Sequence, residues 1–512
     1  MASISSRSPE TSRPVVPARV VREVLASTLL VAMAACGGGG VSLPLDAGSH
    51  DGSTKEPADA KMKPTGDGDA LHADGGAEAG RDATDAGHDT ASPKLDGSSG
   101  KDGARADAAT DATGDAPVDA PVRDHGDAST TFPAFKPYMP HVVANGGAVL
   151  AAPQIVTVTW PNEANVTEFE TFGDVVGGGA YWAATTSEYG IGPAVSGPSN
   201  HVHVPDLPLA TMSASDVVTF IQNHATNFAA SGWPAPTPNT IYILYLSAET
   251  DLTFGTSNAC TAAGGYHDTL TINGVDTVYA VIPHCQANGA TETLAASHEL
   301  IEASTDPHPE DLPAYLGFDT DHLAWDIWGS FQDELGDACE FYTDSFFQQP
   351  FVDEAGTQTY GVQRTWSNAS AALGHDPCQP AAPGPYYNVA PIDLETISLT
   401  LNGLQENGLV QTQGYHIAKG ETKTFAVGLY SDAPTGGPWT LTASENGAEG
   451  PLGPPNLTVS LDSTTGQNGN IVYVTVTVNS VNPSLAGELV TIQSQLGSGP
   501  TRYLPILISS GE

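Results

Sequence analysis

The segment His298-Glu299-Leu300-Ile301-Glu302 has residue types and spacing suited to holding a metal and activating water. On a helix, positions four apart lie on one face, so His298 and Glu302 can reach the same point. Glu299, next to the first ligand, is then placed as a general base, as in the related HExxH pattern. A metal needs a third ligand, and Asp333-Glu334-Leu335-Gly336-Asp337-Ala338-Cys339 offers two. In one assignment Glu334 is the distal ligand and Asp337 orients His298; the reverse assignment is also open. His308 lies ten residues beyond His298, between Pro307 and Pro309, and ranks third. Zn²⁺ is the expected ion. Two carboxylates neutralise much of a dication's charge, so its water is acidified less than under three histidines, and Ca²⁺ or Mn²⁺ also becomes acceptable. The plain alternative is a solvated helix face closed by Asp306 as a cap.

The elements that must position these groups can be read on either side of them. IVTVTW (155–160) predicts a strand, and helices are expected over Val166–Val176 and Tyr181–Tyr189. Residues Ser213 to Ala230 have amphipathic helical spacing, with Ser213 or Ser215 as cap. TIYILYLS (240–247) is continuously apolar and β-prone, so it is expected to be a central strand buried on both faces. Asn273-Gly274 between two β-prone runs predicts a tight hairpin. The helix carrying HELIE follows and should stop before Asp306-Pro307. From Pro383 onward, short alternating runs separated by Gly, Pro and Asn predict strands. The expected fold is therefore a mixed-sheet, zincin-like α/β domain over 132–382, then an all-β immunoglobulin-like sandwich over 383–512.

The amino terminus carries Arg7, Arg13, Arg19 and Arg22, a short apolar run, and Ala34-Ala35 before Cys36. This predicts a signal peptide over 1–35, cleavage before Cys36 and a lipid on that cysteine. The apolar run is shorter than the roughly 20 residues a membrane span needs. Residues 36–131, built mainly of Gly, Ala, Asp, Ser, Thr and Pro, read as a disordered tether. The expected location is the cell envelope, lipid-anchored and facing the periplasm or the exterior; Gly37 suits outer-membrane sorting. Besides Cys36 there are Cys260, Cys285, Cys339 and Cys378. An even number in an exported chain predicts two disulfides with three pairings open, of which the short loops Cys260–Cys285 and Cys339–Cys378 are favoured. The chain has 17 Lys plus Arg against 59 Asp plus Glu, a formal net charge of −42. Such a surface repels phosphate backbones, so nucleic acid is not an expected partner.

SHELIEASTDP, AWDIW, DELGDACE, VQRTWSNA and the closing Cys378 together resemble the plant EXORDIUM or phosphate-induced protein family. VLAAPQIVTVTW, Tyr181-Trp182 and GGYH at Gly264 to His267 extend the resemblance over roughly residues 146 to 378. The resemblance implies an extracellular zincin-like domain with His298, Glu299, Glu302, Glu334 and Asp337 on matching positions. It also supports pairing Cys339 with Cys378, and it matches His267 to a family histidine that could polarise a substrate carbonyl. This chain has single cysteines at Cys260 and Cys285 where the plant proteins carry pairs. The plant members have growth-signalling and wall-associated roles, so no substrate is implied.

Two functions follow as expectations. One is a surface-anchored metal-dependent hydrolase, a peptidase with an extracellular protein or cell-wall substrate, with Glu299 and His267 as its catalytic groups. The other is a non-catalytic binding or adhesion lipoprotein whose metal is structural or absent.

Overall fold

The computed structural model describes residues 123–510, apart from 256, 262–263, 286–288, 310–311, 330–333, 354–355, 401–408, 449, 452, 454 and 482–486. The signal peptide, Cys36 and the tether up to residue 122 lie outside the described residues. No described helix is long and apolar enough to cross a membrane.

The α/β part begins with β1 (Gln154–Thr159), α1 (Val166–Val176), α2 (Ala180–Thr186), β2 (His201–His203) and α3 (Ala214–Ala225). It continues with β3 (Thr240–Tyr245), β4 (Tyr266–Ile272), β5 (Val275–Ile282) and α4 (Gly289–Thr305). The strands form one sheet in the order β2-β1-β3-β5-β4. All neighbours are parallel except β4, which runs antiparallel to β5 at the edge. The expectation for residues 240–247 holds, since β3 is the middle strand and all six of its residues are buried. Asn273 (φ 52°) and Gly274 (φ 81°) both have the positive φ that a two-residue hairpin of right-handed twist requires. The expected long helix over 213–230 is broken in two. A reciprocal Ser213–Asp216 capping box starts α3, which ends at Ala225, and a separate turn spans Phe228–Ser231.

Helix α4 ends at Thr305, before Asp306-Pro307 as the sequence requires. It runs between β5 of the sheet and the second strand of a later hairpin. Ala296, Leu300, Ile301 and Ala303 are fully buried, each large side chain contributing about 1.5–3 kcal/mol. Covered on both sides, the helix also buries polar Ser297, Glu299, Glu302 and Thr305. Two short helices follow, α5 (Leu323–Trp328) and α6 (Asp337–Glu340), and then the hairpin β6 (Phe346–Asp353) and β7 (Gly356–Gln363). That hairpin was not anticipated. Gln, Thr and Gly make up half of its strands, and the apolar Phe346, Phe347, Phe351 and Val352 of β6 do not follow the two-residue period of a half-buried strand.

The carboxy-terminal part is β8 (Tyr387–Pro391), β9 (Glu395–Thr400), β10 (Leu409–His416), β11 (Thr422–Ser431), β12 (Trp439–Ser444), β13 (Leu457–Leu461), β14 (Thr465–Gly466), β15 (Ile471–Val478), β16 (Glu488–Gln495) and β17 (Thr501–Ser509). One sheet has the order β8-β11-β15-β13 and the other β9-β10-β17-β16-β12-β14. Pairing is antiparallel except between β10 and β17. Alternating residues such as Val472, Val474, Val476 and Val478 face inward, so this is the expected β-sandwich.

Two features differ from expectation. The folded chain starts before Phe132, because residues from Arg123 already pack on the sandwich: Ile471 N–H donates to His125 O (2.7 Å) and Ser129 N–H to Asn468 O (2.7 Å). The sandwich, expected as a following domain, also packs against the α/β part. Its apolar core is continuous with that of the α/β part, and Trp328 meets Tyr503 with ring centroids 5.0 Å apart. Arg502 of β17 lies between Asp344 Oδ1 (2.7 Å) and Asp376 Oδ2 (2.7 Å), and the described residues fall in one compact unit.

Both favoured disulfides are present. Cys260–Cys285 ties the segment before β4 to the end of β5, and Cys339–Cys378 ties α6 to the end of the α/β part.

Candidate metal centre

Helix α4 presents His298, Glu299 and Glu302 to one polar centre, the edge strand β4 adds His267, and the turn into α6 adds Glu334 and Asp337. His298 Nε2 lies 2.9 Å from Glu302 Oε2 and 3.5 Å from Asp337 Oδ1. His267 Nδ1 lies 3.3 Å from Glu299 Oε2 and 4.0 Å from Glu302 Oε2, while its Nε2 is 3.6 Å from Glu334 Oε1. Two sets of donor atoms therefore cluster: His298, Glu302 and Asp337, and His267, Glu299 and Glu302. Apart from His308, which joins neither set, every residue proposed from the sequence as ligand or catalytic group is in this centre.

The hydrogen bonds around the imidazoles decide which nitrogen is free. Gln363, the last residue of β7, donates from Nε2 to Gly336 O (2.7 Å). Its Oε1 must therefore face His298 Nδ1 (2.9 Å), and as a carbonyl oxygen it can only accept. The Nδ1 of His298 carries the hydrogen, and Nε2 is left to face Glu302 and Asp337. An imidazole held through one nitrogen by a carbonyl, with the other turned to carboxylates, is the usual setting of a metal-ligating histidine. Of the two assignments left open, the geometry matches the one with Asp337 beside Nε2: Gln363 holds Nδ1 (2.9 Å), and Asp337 Oδ1 lies 3.5 Å from Nε2. Glu334 contacts His267 rather than His298.

Glu302 is 1% exposed and its two oxygens are divided. Oε1 accepts from Gly336 N–H (3.1 Å) and Asp337 N–H (3.2 Å), leaving Oε2 toward the histidines. This packing needs glycine at 336: a Cβ there would lie 2.7 Å from Glu302 Oε1 and 2.8 Å from His298 Nδ1. Gly265 is similarly required beside Glu299, where a Cβ would lie 2.7 Å from Oε1.

The donor set fits a divalent cation. Ligands about 2.0–2.2 Å from a tetrahedral ion stand roughly 3.3–3.6 Å apart, close to the spacings around His298 Nε2. Charge points the same way, since Glu299, Glu302, Asp306, Glu334 and Asp337 outnumber two imidazoles. Of the basic residues after 131, Arg502 is engaged by Asp344 and Asp376, Lys423 by Glu395 and Arg364 by Asp344 O, while Lys136 and Lys419 are exposed. Protons take up the imbalance. Burial, then Glu334, lifts the Asp306 carboxyl to about 7. Burial and then Glu302 hold Asp337 well above the usual carboxylate range. Burial works to lower His267, but Glu334, Glu299 and Glu302 outweigh it and raise it to about 10. His298 is raised in the same way, chiefly by Glu302 against burial.

Sequence reasoning missed Gln363 and gave Asp306 only a capping role. Asp306 O accepts from His267 Nε2 (3.1 Å) and Asp306 Oδ1 accepts from Ala314 N–H (2.8 Å). A buried glutamine ending an otherwise apolar strand end, Tyr360-Gly361-Val362-Gln363, was the available signal.

No family model and no curated protein matches the sequence. Among solved structures, the chain is similar to the BIgI domain of beta protein from S. agalactiae bound to CEACAM1. The identity is 15%, over 23% of this chain and 96% of that one, with a TM-score of 0.13.

Proposed function

We propose that the α/β part is a metal-dependent hydrolase of the zincin kind, related to the EXORDIUM family, and acts as a peptidase at the cell envelope. The observation that carries this reading is the imidazole of His298, fixed by Gln363 so that Nε2 meets Glu302 and Asp337. These three residues hold the ion, with Zn²⁺ first and Mn²⁺ or Ca²⁺ as alternatives. When bound, a divalent ion supplies Lewis-acid chemistry, lowering the pKa of water and polarising a carbonyl. Glu299 takes the proton from the attacking water at its carboxylate. His267, 3.3 Å from Glu299 Oε2, orients that carboxylate. The side chains of His298 and Asp337 keep 15% and 18% exposure, while Glu299, Glu302 and His267 are closed off. Substrate therefore approaches over His298 and Asp337.

That burial also favours a second reading, in which the ion is structural or absent and the protein is a binding or adhesion lipoprotein using its immunoglobulin-like sandwich. In both readings the chain is exported and held by a lipid on Cys36, so Cys36→Ser should move it from the membrane fraction to the soluble one.

The deciding experiment is metal content by mass spectrometry of the full chain, wild type beside His298→Ala and Glu299→Gln. The hydrolase reading expects bound ion in wild type and its loss in His298→Ala. Glu299→Gln keeps the ion at His298 and hydrolyses none of a panel of peptides that wild type cuts. Bound ion with no turnover by wild type supports the second reading with a structural ion, and no ion in a folded wild type sinks the hydrolase reading and leaves the second with no metal.

A further inference from the structure

We infer that the centre has two cation positions, the second formed by His267 Nδ1, Glu299 and Glu302, with Glu302 Oε2 common to both. The inference rests on the reading of the first position as a metal site. His267 repeats the arrangement of His298 by independent means. Its Nε2 lies 3.1 Å from the backbone carbonyl of Asp306, which can only accept, so Nε2 carries the hydrogen. Nδ1 is then the nitrogen turned to the carboxylates, 3.3 Å from Glu299 Oε2 and 4.0 Å from Glu302 Oε2. Two imidazoles thus approach the centre from β4 and α4, each anchored through N–H to a carbonyl, and each offers its other nitrogen to Glu302 Oε2.

One ion shared by both histidines does not fit this geometry. Neither of the two sets of donor atoms lying within 4.8 Å of one another contains both imidazoles. Glu302 is prepared for bridging because the amides of Gly336 and Asp337 occupy Oε1 and leave Oε2 alone between the two nitrogens. Carboxylate-bridged pairs of ions are an established arrangement for hydrolytic centres.

The second position has a functional consequence. It uses Glu299, the residue that serves as base when only the first position is filled. The first ion therefore activates and the second inhibits, so activity should rise and then fall as metal is added.

The test is ion binding by the full chain, stripped with chelator and dialysed against Mn²⁺, with bound ions counted by mass spectrometry and examined by electron paramagnetic resonance. Wild type should bind two ions per chain and show an exchange-coupled signal. His267→Ala should bind one ion with an uncoupled signal, and Glu299→Gln should do the same. One ion in wild type, unaffected by His267→Ala but lost in His298→Ala, overturns the second position and leaves the first intact. One ion lost in either histidine variant places both imidazoles on a single ion and also overturns it. No ion in a folded wild type ends both readings. Near-UV circular dichroism monitors folding, and His267→Gln serves if the alanine variant unfolds. Should neither fold, a wild type with one uncoupled ion is itself the overturning result.

Discussion

Gln363 shows how a residue with no chemistry of its own governs the centre. Its amide ties Gly336 O to His298 Nδ1, fixing both the ring and its tautomer. Gln363→Leu keeps the volume but removes the acceptor, and should weaken metal binding about 10- to 100-fold, measurable by competition with a chelating dye. Titration gives a second expectation for the chelated protein. Asp306, at about 7 in the folded chain, keeps a proton that the unfolded chain releases near pH 4, so its stability contribution is lost as pH rises from about 4 to 7. His267, at about 10, contributes stability that is full below about 6.5 and lost as pH rises toward 10. Both slopes have the same sign. Urea unfolding of the chelated chain should show stability falling from pH 5 to pH 9, and added metal should flatten that fall because its ligands bind it best when deprotonated.

At the scale of elements, the centre is where a helix, an edge strand, a short turn and a hairpin meet. Helix α4 and its motif could be read directly, because apolar periodicity, the Asn273-Gly274 turn before it and Asp306-Pro307 after it are all local signals. The hairpin β6–β7 could not, because Gln, Thr and Gly make up half of its strands and the apolar residues of β6 do not alternate. The turn carrying Glu334 and Asp337 has few residues in regular structure, and the Cys339–Cys378 disulfide holds it. Closing that loop contributes roughly 3–4 kcal/mol. The paired substitution Cys339→Ser with Cys378→Ser should lower the melting temperature and, because Asp337 begins the same short helix, weaken metal binding as well. Unchanged affinity with lower stability would mean that packing of α6 alone positions Asp337.

For the whole molecule, the sandwich is a structural partner of the α/β part. Arg502 is 3% exposed and reaches across to Asp344 and Asp376, of which Asp376 is 4% exposed. Arg502→Met removes the cation paired directly with those carboxylates, leaving only Arg364 nearby among the described residues, and should cost about 3–5 kcal/mol. Chemical denaturation should show one cooperative transition for both parts, moved to lower denaturant in the variant. Two separate transitions would mean that the sandwich folds independently. The overall charge of −42 also favours cation approach, an effect that salt should weaken.

Local patterns in the sequence determined the strand and helix order, the central place of β3, the hairpin turn, the sandwich strands and the residue types of the centre. Each depends on neighbours a few positions apart, where side-chain period and turn preference act directly. The even number of remaining cysteines determined that two disulfides form. Tertiary structure decided the rest. It set Gln363, 65 residues from His298, against that ring; it placed Asp337 rather than Glu334 beside His298; and it turned His267 toward Glu302. It also joined the sandwich to the α/β part through Arg502. These relations depend on how separate elements pack and on which buried polar atoms must find partners, and no local spacing encodes that.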